Sequence, residues 1–488
     1  MDVDRHVSGR TLVRHLGQWR TETRGVAYAE LAERIKLLVL DGRLPTQTRL
    51  PAERELAGAL RLSRTTVAAS YDLLREAGFL HSRRGSGSWT TLPVAPAGLH
   101  VTAFAPTGDP TAYDLAYAGL AAPQQALAEA IQVAGELVPS HATHSGYQLL
   151  GLDSLRDTVA ERFTRRGLPT TRDQILITCG AQQGIAMVLA ALLTPGERVL
   201  VEHPTYPNAL DAVAREHTRA VPVGFAGRDW DLATMAASVR DACPRLMYLT
   251  PDYQNPTGAL MSERQREEVI ALARRTRTPL LIDETMTEIA LDGPTGTPLA
   301  GYAASAGSPP VITVGSASKT FWGGLRIGWV RTSPPMIERL ARARASMDIA
   351  TSVLDQLVTQ HLMANIDAVL ARRLPALRAT RDSLLRLVAE YFPSWRTTAP
   401  PGGLSLWVDL GVPASSALVV EAARQNVLLA AGPRFGVDGA FERYLRLPYT
   451  LAEPILEVAV QRLASAWTSL PVAGQSSTGW PDPPVAVA

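Results

Sequence analysis

Of the 48 basic residues in this 488-residue sequence only two are lysines, Lys36 and Lys319; the rest are arginines. Codon preference alone accounts for such a bias, but chemistry that needs a side-chain primary amine is left with two candidates. Lys319 lies in Gly315-Ser316-Ala-Ser-Lys319-Thr-Phe-Trp-Gly-Gly-Leu-Arg326-Ile-Gly328, directly after an apolar run. An amine in a partly desolvated loop can form a Schiff base with an aldehyde. A lone lysine is more often a solvated surface group. This one is flanked by Ser316 and Arg326, whose spacing suits a shared phosphate: a hydroxyl, a guanidinium fork and glycines that let the backbone approach.

Three further motifs carry polar groups. Gly180-Ala-Gln-Gln-Gly184 follows an apolar run and opens a helical pattern, so its N–H groups point at an anion, although such turns are common. Asp283 ends Leu280-Leu-Ile; a buried carboxylate there needs a positive partner, and a protonated pyridine nitrogen is one. Asn255-Pro-Thr-Gly258 places an amide where it can meet a phenolate oxygen, though by itself it is an ordinary turn. Cys179 and Cys243 make neither a disulfide framework nor a metal site, and His141 and His144 have no acidic or thiol co-ligand, so no metal is expected. Arg434, in Gly432-Pro-Arg-Phe, is expected in a loop salt bridge, with a ligand contact as the other reading.

These motifs need a frame to hold them. Short β-branched runs at 174–178, 198–201, 246–250, 280–283, 311–315 and 327–330 alternate with Ala/Leu-rich helical stretches. That alternation predicts an α/β fold with a central, mostly parallel sheet and ligands at the carboxyl ends of its strands. Each polar motif follows one of these runs.

The first 92 residues differ. They hold 15 basic against 10 acidic residues, while the whole chain is only +2. A basic head suits a polyanion. Leu31, Ile35, Leu38 and Val39 share one face of a helix over 28–42, and Pro51 is expected to open a short helix reaching about Leu60. Ser63 then caps a third helix closed by Gly78, with Val67, Tyr71 and Leu74 buried and Arg64, Thr65 and Thr66 at its exposed tip. Runs 79–82 and 88–91 can pair as a hairpin across Arg83-Arg84-Gly85-Ser86-Gly87. Periodicity fits a winged helix-turn-helix and a small helical bundle equally well.

Residues 44–87, with Leu50-Pro-Ala-Glu-Arg54 and Ser63-Arg-Thr-Thr-Val67, resemble the winged helix of the GntR family of transcription regulators. The resemblance implies double-stranded DNA as partner, with Arg54, Arg64, Thr65 and Thr66 as contacts and Arg83, Arg84 and Gly85 in the wing. Residues 113–470 resemble the fold-type I pyridoxal 5′-phosphate (PLP) enzymes of aminotransferase class I. That resemblance implies Lys319 as the internal aldimine lysine and Asp283 as partner of the pyridine nitrogen. It implies Asn255 on the phenolic oxygen, Tyr206 stacked on the ring, and Ala181, Gln182, Ser316 and Arg326 around the phosphate. Tyr147 resembles the tyrosine that reaches the phosphate from a second subunit, and Arg446 the arginine that grips a substrate α-carboxylate.

One departure stands out. Class I aminotransferases carry a tyrosine two or three residues after the aspartate, and Asp283-Glu-Thr-Met286 has none. Losing one such donor corresponds to about one to two orders of magnitude in rate. The departure is compatible with cofactor binding and counts against efficient transamination.

A GntR winged helix joined to an aminotransferase-like body is similar to the MocR arrangement of bacterial regulators. The expected layout is a DNA-binding head at 1–92, a Pro-rich linker at 93–112, the PLP-binding body at 113–470 and a disordered tail at 471–488. It implies a homodimer that senses PLP, or a small amine or amino acid, through Lys319. The competing readings are a working aminotransferase with a DNA-binding appendage and a scaffold whose body only dimerises. The longest apolar run, 185–193, is too short for a membrane span, and 1–20 has no secretory pattern, so a cytoplasmic, nucleoid-associated protein is expected.

Overall fold

The computed structural model describes residues 5–17, 19–20, 26–40, 44, 48–83, 87–91, 111–303 and 309–470. The tail, all of the expected linker before Thr111, and the wing-tip residues Arg84 and Gly85 lie outside the described residues.

The head runs β1 (Arg5–His6), α1 (Gly9–Leu16), α2 (Ala27–Leu40), β2 (Thr48–Arg49), α3 (Glu53–Leu60), α4 (Arg64–Glu76), β3 (Leu80–Arg83) and β4 (Gly87–Thr90). Leu31, Ile35, Leu38 and Val39 are all buried, as the helical spacing requires. Pro51 does not open α3. Ala52 is the N-cap, and Pro51 sits before it, its carbonyl accepting from the Tyr71 hydroxyl at 3.0 Å. Arg61 turns the chain in the left-handed conformation (φ 55°), and Ser63 Oγ caps α4 by accepting from the Thr66 amide at 3.0 Å. Strands β3 and β4 pair antiparallel with Ser82 opposite Ser88.

The N-terminal segment completes this head. β1 adds to the sheet beside β2, Leu12 and Leu16 of α1 are fully buried in the head core, and the Gly9 amide donates to Glu55 Oε1 of α3 at 2.6 Å. Truncating Leu12 to alanine is therefore expected to cost about 2–5 kcal/mol. Thermal unfolding of the full chain checks this; an unchanged head transition would take α1 out of that core.

The body opens with β5 (Tyr113–Leu115), α5 (Gln124–His141), α6 (Asp153–Arg165), β6 (Ile175–Thr178) and α7 (Gly180–Leu192). It continues through β7 (Arg198–His203), α8 (Pro207–Arg215), β8 (Arg219–Ala226), β9 (Asp229–Trp230), α9 (Leu232–Ala242), β10 (Leu246–Leu249) and α10 (Glu263–Thr276). Next come β11 (Leu280–Asp283), β12 (Val311–Ser316), α11 (Ala317–Thr320), β13 (Gly328–Arg331), α12 (Pro334–Arg344), α13 (Val353–Ala364) and α14 (Ile366–Tyr391). The last are β14 (Ser405–Asp409), α15 (Ser415–Arg424), β15 (Val427–Ala431), β16 (Tyr444–Pro448) and α16 (Glu453–Thr468).

Eight strands form the large sheet in the order β6-β13-β12-β11-β10-β7-β8-β9. The stretch from β12 to β8 is parallel throughout, and β13 and β9 run antiparallel to their neighbours. Successive strand residues alternate between two cores: Met247 and Leu249 join one, Leu246 and Tyr248 the other. A parallel sheet covered on both faces explains why these runs are continuously apolar. A second sheet, β14-β16-β15-β5, builds a smaller subdomain with its own core. Its edge strand β5 comes from the start of the body and pairs Tyr113 with Val427 across more than three hundred residues. Among the described residues no helix is long and apolar enough to cross a membrane.

Candidate functional site

The ends of five strands converge on one cleft. After β12, Ser316 caps the short α11 with its hydroxyl accepting from the Ser318 amide at 3.1 Å, and α11 carries Lys319. The Lys319 amine donates to the Ala118 carbonyl at 2.6 Å and lies 5.0 Å from the centre of the Tyr117 ring. Burial and the nearby Arg446 charge push its pKa down from 10.5 to about 8; Arg326 adds to the shift and Asp283 opposes it. These influences place the amine among the groups that the sequence singled out.

Asp283, buried at the end of β11, accepts from the Tyr248 hydroxyl at 2.7 Å and from the Thr285 amide at 2.9 Å. Tyr248 lies opposite Leu281 on the neighbouring strand, so the two-residue period of the pleat brings its ring to the face that Asp283 uses. The tyrosine missing after Asp283 is not replaced by Tyr248, which bonds the aspartate itself. Behind the strand end, Arg166 pairs with Glu284 at 2.9 Å and Arg162 with Glu288 at 2.6 Å, fixing the loop that carries Asp283.

The anion cradle lies where α7 begins. Gly180 has φ +75°, and a Cβ there would come within 2.7 Å of Arg326 Nη2; a Cβ on Gly328 would strike the Gly180–Ala181 backbone at 2.5–2.6 Å. Only glycines allow this approach. Arg326 is exposed, with Nη2 donating to the Cys179 carbonyl at 3.3 Å, and the buried Gln182 Oε1 has no partner. The first-turn N–H groups of α7, those of Ala181 and Gln182 among them, and the Arg326 guanidinium suit a bound phosphate group, whereas the Gln182 side chain gives its amide N–H to the Asn208 carbonyl at 2.9 Å and has only an acceptor left.

Tyr206 and Asn255 are held by a junction that sequence reading missed. Glu202 Oε1 accepts from Trp230 Nε1 at 2.7 Å and the Thr250 amide at 3.0 Å, and Oε2 accepts from Gln254 Nε2 at 3.1 Å. Gln254 Nε2 also reaches the Pro204 carbonyl at 2.8 Å, tying the Tyr206 loop to the Asn255 loop. Burial holds the Glu202 carboxyl up at about 7 despite these donors. Its signal was present: an acid ending an apolar strand, as with Asp283. Tyr117 and the Ala118 carbonyl carried no such signal.

Arg446 on β16 is buried, Nη1 donating to Asn255 Oδ1 at 3.3 Å and Nη2 to the Ala116 carbonyl. Its Nε is buried without a partner. Burial, then the charge of Arg434, lower its pKa to about 10. Tyr147, by contrast, is 70 % exposed and is not brought into the cleft within one chain.

In the head, Arg54, Arg64 and Thr65 are exposed and Thr66 half-buried; Arg64 pairs loosely with Glu53 at 3.4 Å. The Arg83 backbone pairs with Gly87, beside which lies Arg49, a basic residue near the wing that sequence reading passed over.

Residues 112–463 match the aminotransferase class I and II family. The chain belongs to that family. Residues 27–89 match the gntR family of bacterial regulatory proteins, which makes the whole a MocR-type architecture with a GntR-type DNA-binding domain. The MocR-type chain is 26 % identical over 471 residues to the uncharacterized HTH-type transcriptional regulator YisV of Bacillus subtilis (strain 168), covering 90 % of this chain and 95 % of the relative. It is 30 % identical over 353 residues to 2-aminoadipate transaminase of Thermus thermophilus, covering 71 % and 86 %. The crystal structure of LysN, the α-aminoadipate aminotransferase of Thermus thermophilus complexed with N-(5′-phosphopyridoxyl)-L-leucine, superposes with a TM-score of 0.68 at 27 % identity, covering 73 % and 92 %. PLP is the cofactor of this family, and the cradle, the buried carboxylate and the amine of the MocR-type body suit its phosphate, ring nitrogen and aldehyde.

Proposed function

We propose that the chain is a PLP-responsive transcription regulator, acting as a homodimer through its body. The observation that carries this is Lys319: a primary amine under the combined influence of Asp283, Arg326 and Arg446, on a chain whose head is a GntR winged helix. When bound, the cofactor supplies an aldehyde that condenses with primary amines. Lys319 would provide the amine, Asp283 would serve as counter-charge to the ring nitrogen, Asn255 would bond the phenolic oxygen and Tyr206 would stack on the ring. Ala181, Gln182, Ser316 and Arg326 take the phosphate, with Tyr147 reaching in from the second subunit. Arg446 takes the carboxylate of an effector amino acid. In the head, Arg64, Thr65 and Thr66 face base edges, while Arg54, Arg83, Arg84 and Gly85 hold the backbone of DNA. Such a protein works in the cytoplasm, on the nucleoid.

A ligand shifts DNA binding only by interacting differently with two conformations. Displacing Lys319 from the Ala118 carbonyl while engaging Arg446 provides such a difference. Binding to the chain's own upstream DNA tests this, without PLP, with PLP, and with PLP added to Lys319→Ala. PLP is expected to change affinity by about 5- to 150-fold, the usual span of a coupling free energy, with the variant unresponsive. Three equal affinities would overturn the regulatory reading. In the same assay Arg64→Ala should cost about 1–3 kcal/mol and relax base preference, whereas Arg54→Ala should reduce the salt slope by about one. Arg64→Ala binding like wild type would remove α4 from the DNA contact.

The complete set of Lys319, Asp283 and Arg446 also favours a second reading, a working aminotransferase with a DNA-binding appendage. Conversion of the cofactor to its amine form over many turnovers would establish it.

A further inference from the structure

Arg434 lies in the turn Gly432–Phe435 that follows β15. The loop salt bridge expected for it does not form: among the described residues it has no ion pair or hydrogen bond, and the one acid acting on it is Asp211, exposed on α8. The turn adjoins the cleft. Ala430 of β15 lies opposite Arg446, the Arg446 guanidinium rests 4.9 Å from the centre of the Phe435 ring, and the Thr205 amide donates to the Phe435 carbonyl at 2.8 Å. Arg434 thus sits where the Tyr206 loop and Arg446 meet, and its positive charge acts on Arg446.

The two positive charges repel each other, and anions that come to both relieve that repulsion. The carboxylates at hand are otherwise engaged: Asp283 is bonded by Tyr248 and Thr285, and Asp114 Oδ1 accepts from the Ala116 and Tyr117 amides at 2.8 and 3.0 Å. A cofactor phosphate answers Arg326, and an effector α-carboxylate answers Arg446. Arg434 is left with the exposed Asp211 alone.

We propose that Arg434 and Arg446 together receive the two acidic groups of an amino acid with an acidic side chain, Arg446 taking the α-carboxylate and Arg434 the second acid. This rests on the reading of the body as a PLP-dependent amine sensor. An exposed Asp211 is a weak, solvent-screened competitor for Arg434 that such a ligand displaces.

The test titrates the full chain, loaded with PLP, with L-glutamate, L-2-aminoadipate, L-norvaline and L-norleucine, reading the cofactor's visible absorption. The two acids are expected to bind roughly 10- to 100-fold more tightly than the neutral amino acids of similar length, the range of a charge-assisted fork in a sheltered site. Arg434→Gln should erase that preference, so that within the variant the two acids bind no more tightly than norvaline and norleucine. Arg434→Lys keeps the charge and should retain part of the preference, which separates lost recognition from a disturbed turn. Equal affinities in the wild type, or a preference that survives Arg434→Gln, would overturn the proposal and leave the PLP reading standing. A wild-type chain that shows no cofactor absorption with added PLP would defeat the PLP reading, and this proposal with it.

Discussion

PLP capture by the apo-protein is expected to accelerate about ten-fold per pH unit and to level off near pH 8, and to be lost in Lys319→Ala. Only the neutral amine attacks an aldehyde, so the rate follows the deprotonated fraction of Lys319. With its pKa lowered to about 8, against an ordinary 10.5, about a tenth of the amine is neutral at pH 7, compared with roughly one part in three thousand for an unshifted lysine. Stopped-flow absorption across pH 6–10 reads the profile. A rate still climbing at pH 10, or capture by Lys319→Ala equal to wild type, would contradict the assignment. The cause is testable as well. After burial, Arg446 is the largest influence holding the amine down, so Arg446→Ala should move the plateau to higher pH.

Arg446→Ala should also remove recognition of carboxylate-bearing effectors, by about 2–5 kcal/mol or roughly 30- to several thousand-fold, because the ligand's charge would be left in a sheltered cleft. Binding of PLP itself should change far less, since the cradle around Gly180 and Arg326 is built from other elements. Arg446→Lys should recover only part of the loss: an ammonium keeps the charge but not the planar fork. A calorimetric titration with an amino acid and with the corresponding decarboxylated amine separates these effects. Equal affinities of wild type and Arg446→Ala for the amino acid would show that the α-carboxylate binds elsewhere.

Local chemistry made much of this molecule legible. Gly78 after α4, Ser63 before it and the spacing of Leu31, Ile35 and Leu38 specify helices within a few residues, since caps and periods act over one or two turns. The apolar runs marked six strands of the large sheet because a parallel sheet covered on both faces demands continuous apolar sequence. Misplacing Pro51 inside α3 is the kind of error local rules allow: proline fits the first turn and the residue before the cap alike. Strands β8 and β9 went unread because β8 is half-buried with Pro222 and Gly224 within it, and β9 has two residues.

The sequence by itself determined the two-part plan, the amine at Lys319, the carboxylate at Asp283 and the glycines at the start of α7, because each is a residue type whose chemistry shows in its immediate neighbours. Tertiary structure decided what lies between them. Tyr248 reaches Asp283 from the next strand, Glu202 ties two loops separated by fifty residues, and the start of the body pairs with β15 to close the small sheet. It alone set Arg434 where its charge acts on Arg446, and Arg446 and Arg326 where theirs lower the pKa of Lys319. Electrostatic and hydrogen-bond energies depend on distance through space, and distance along the chain carries almost none of that information.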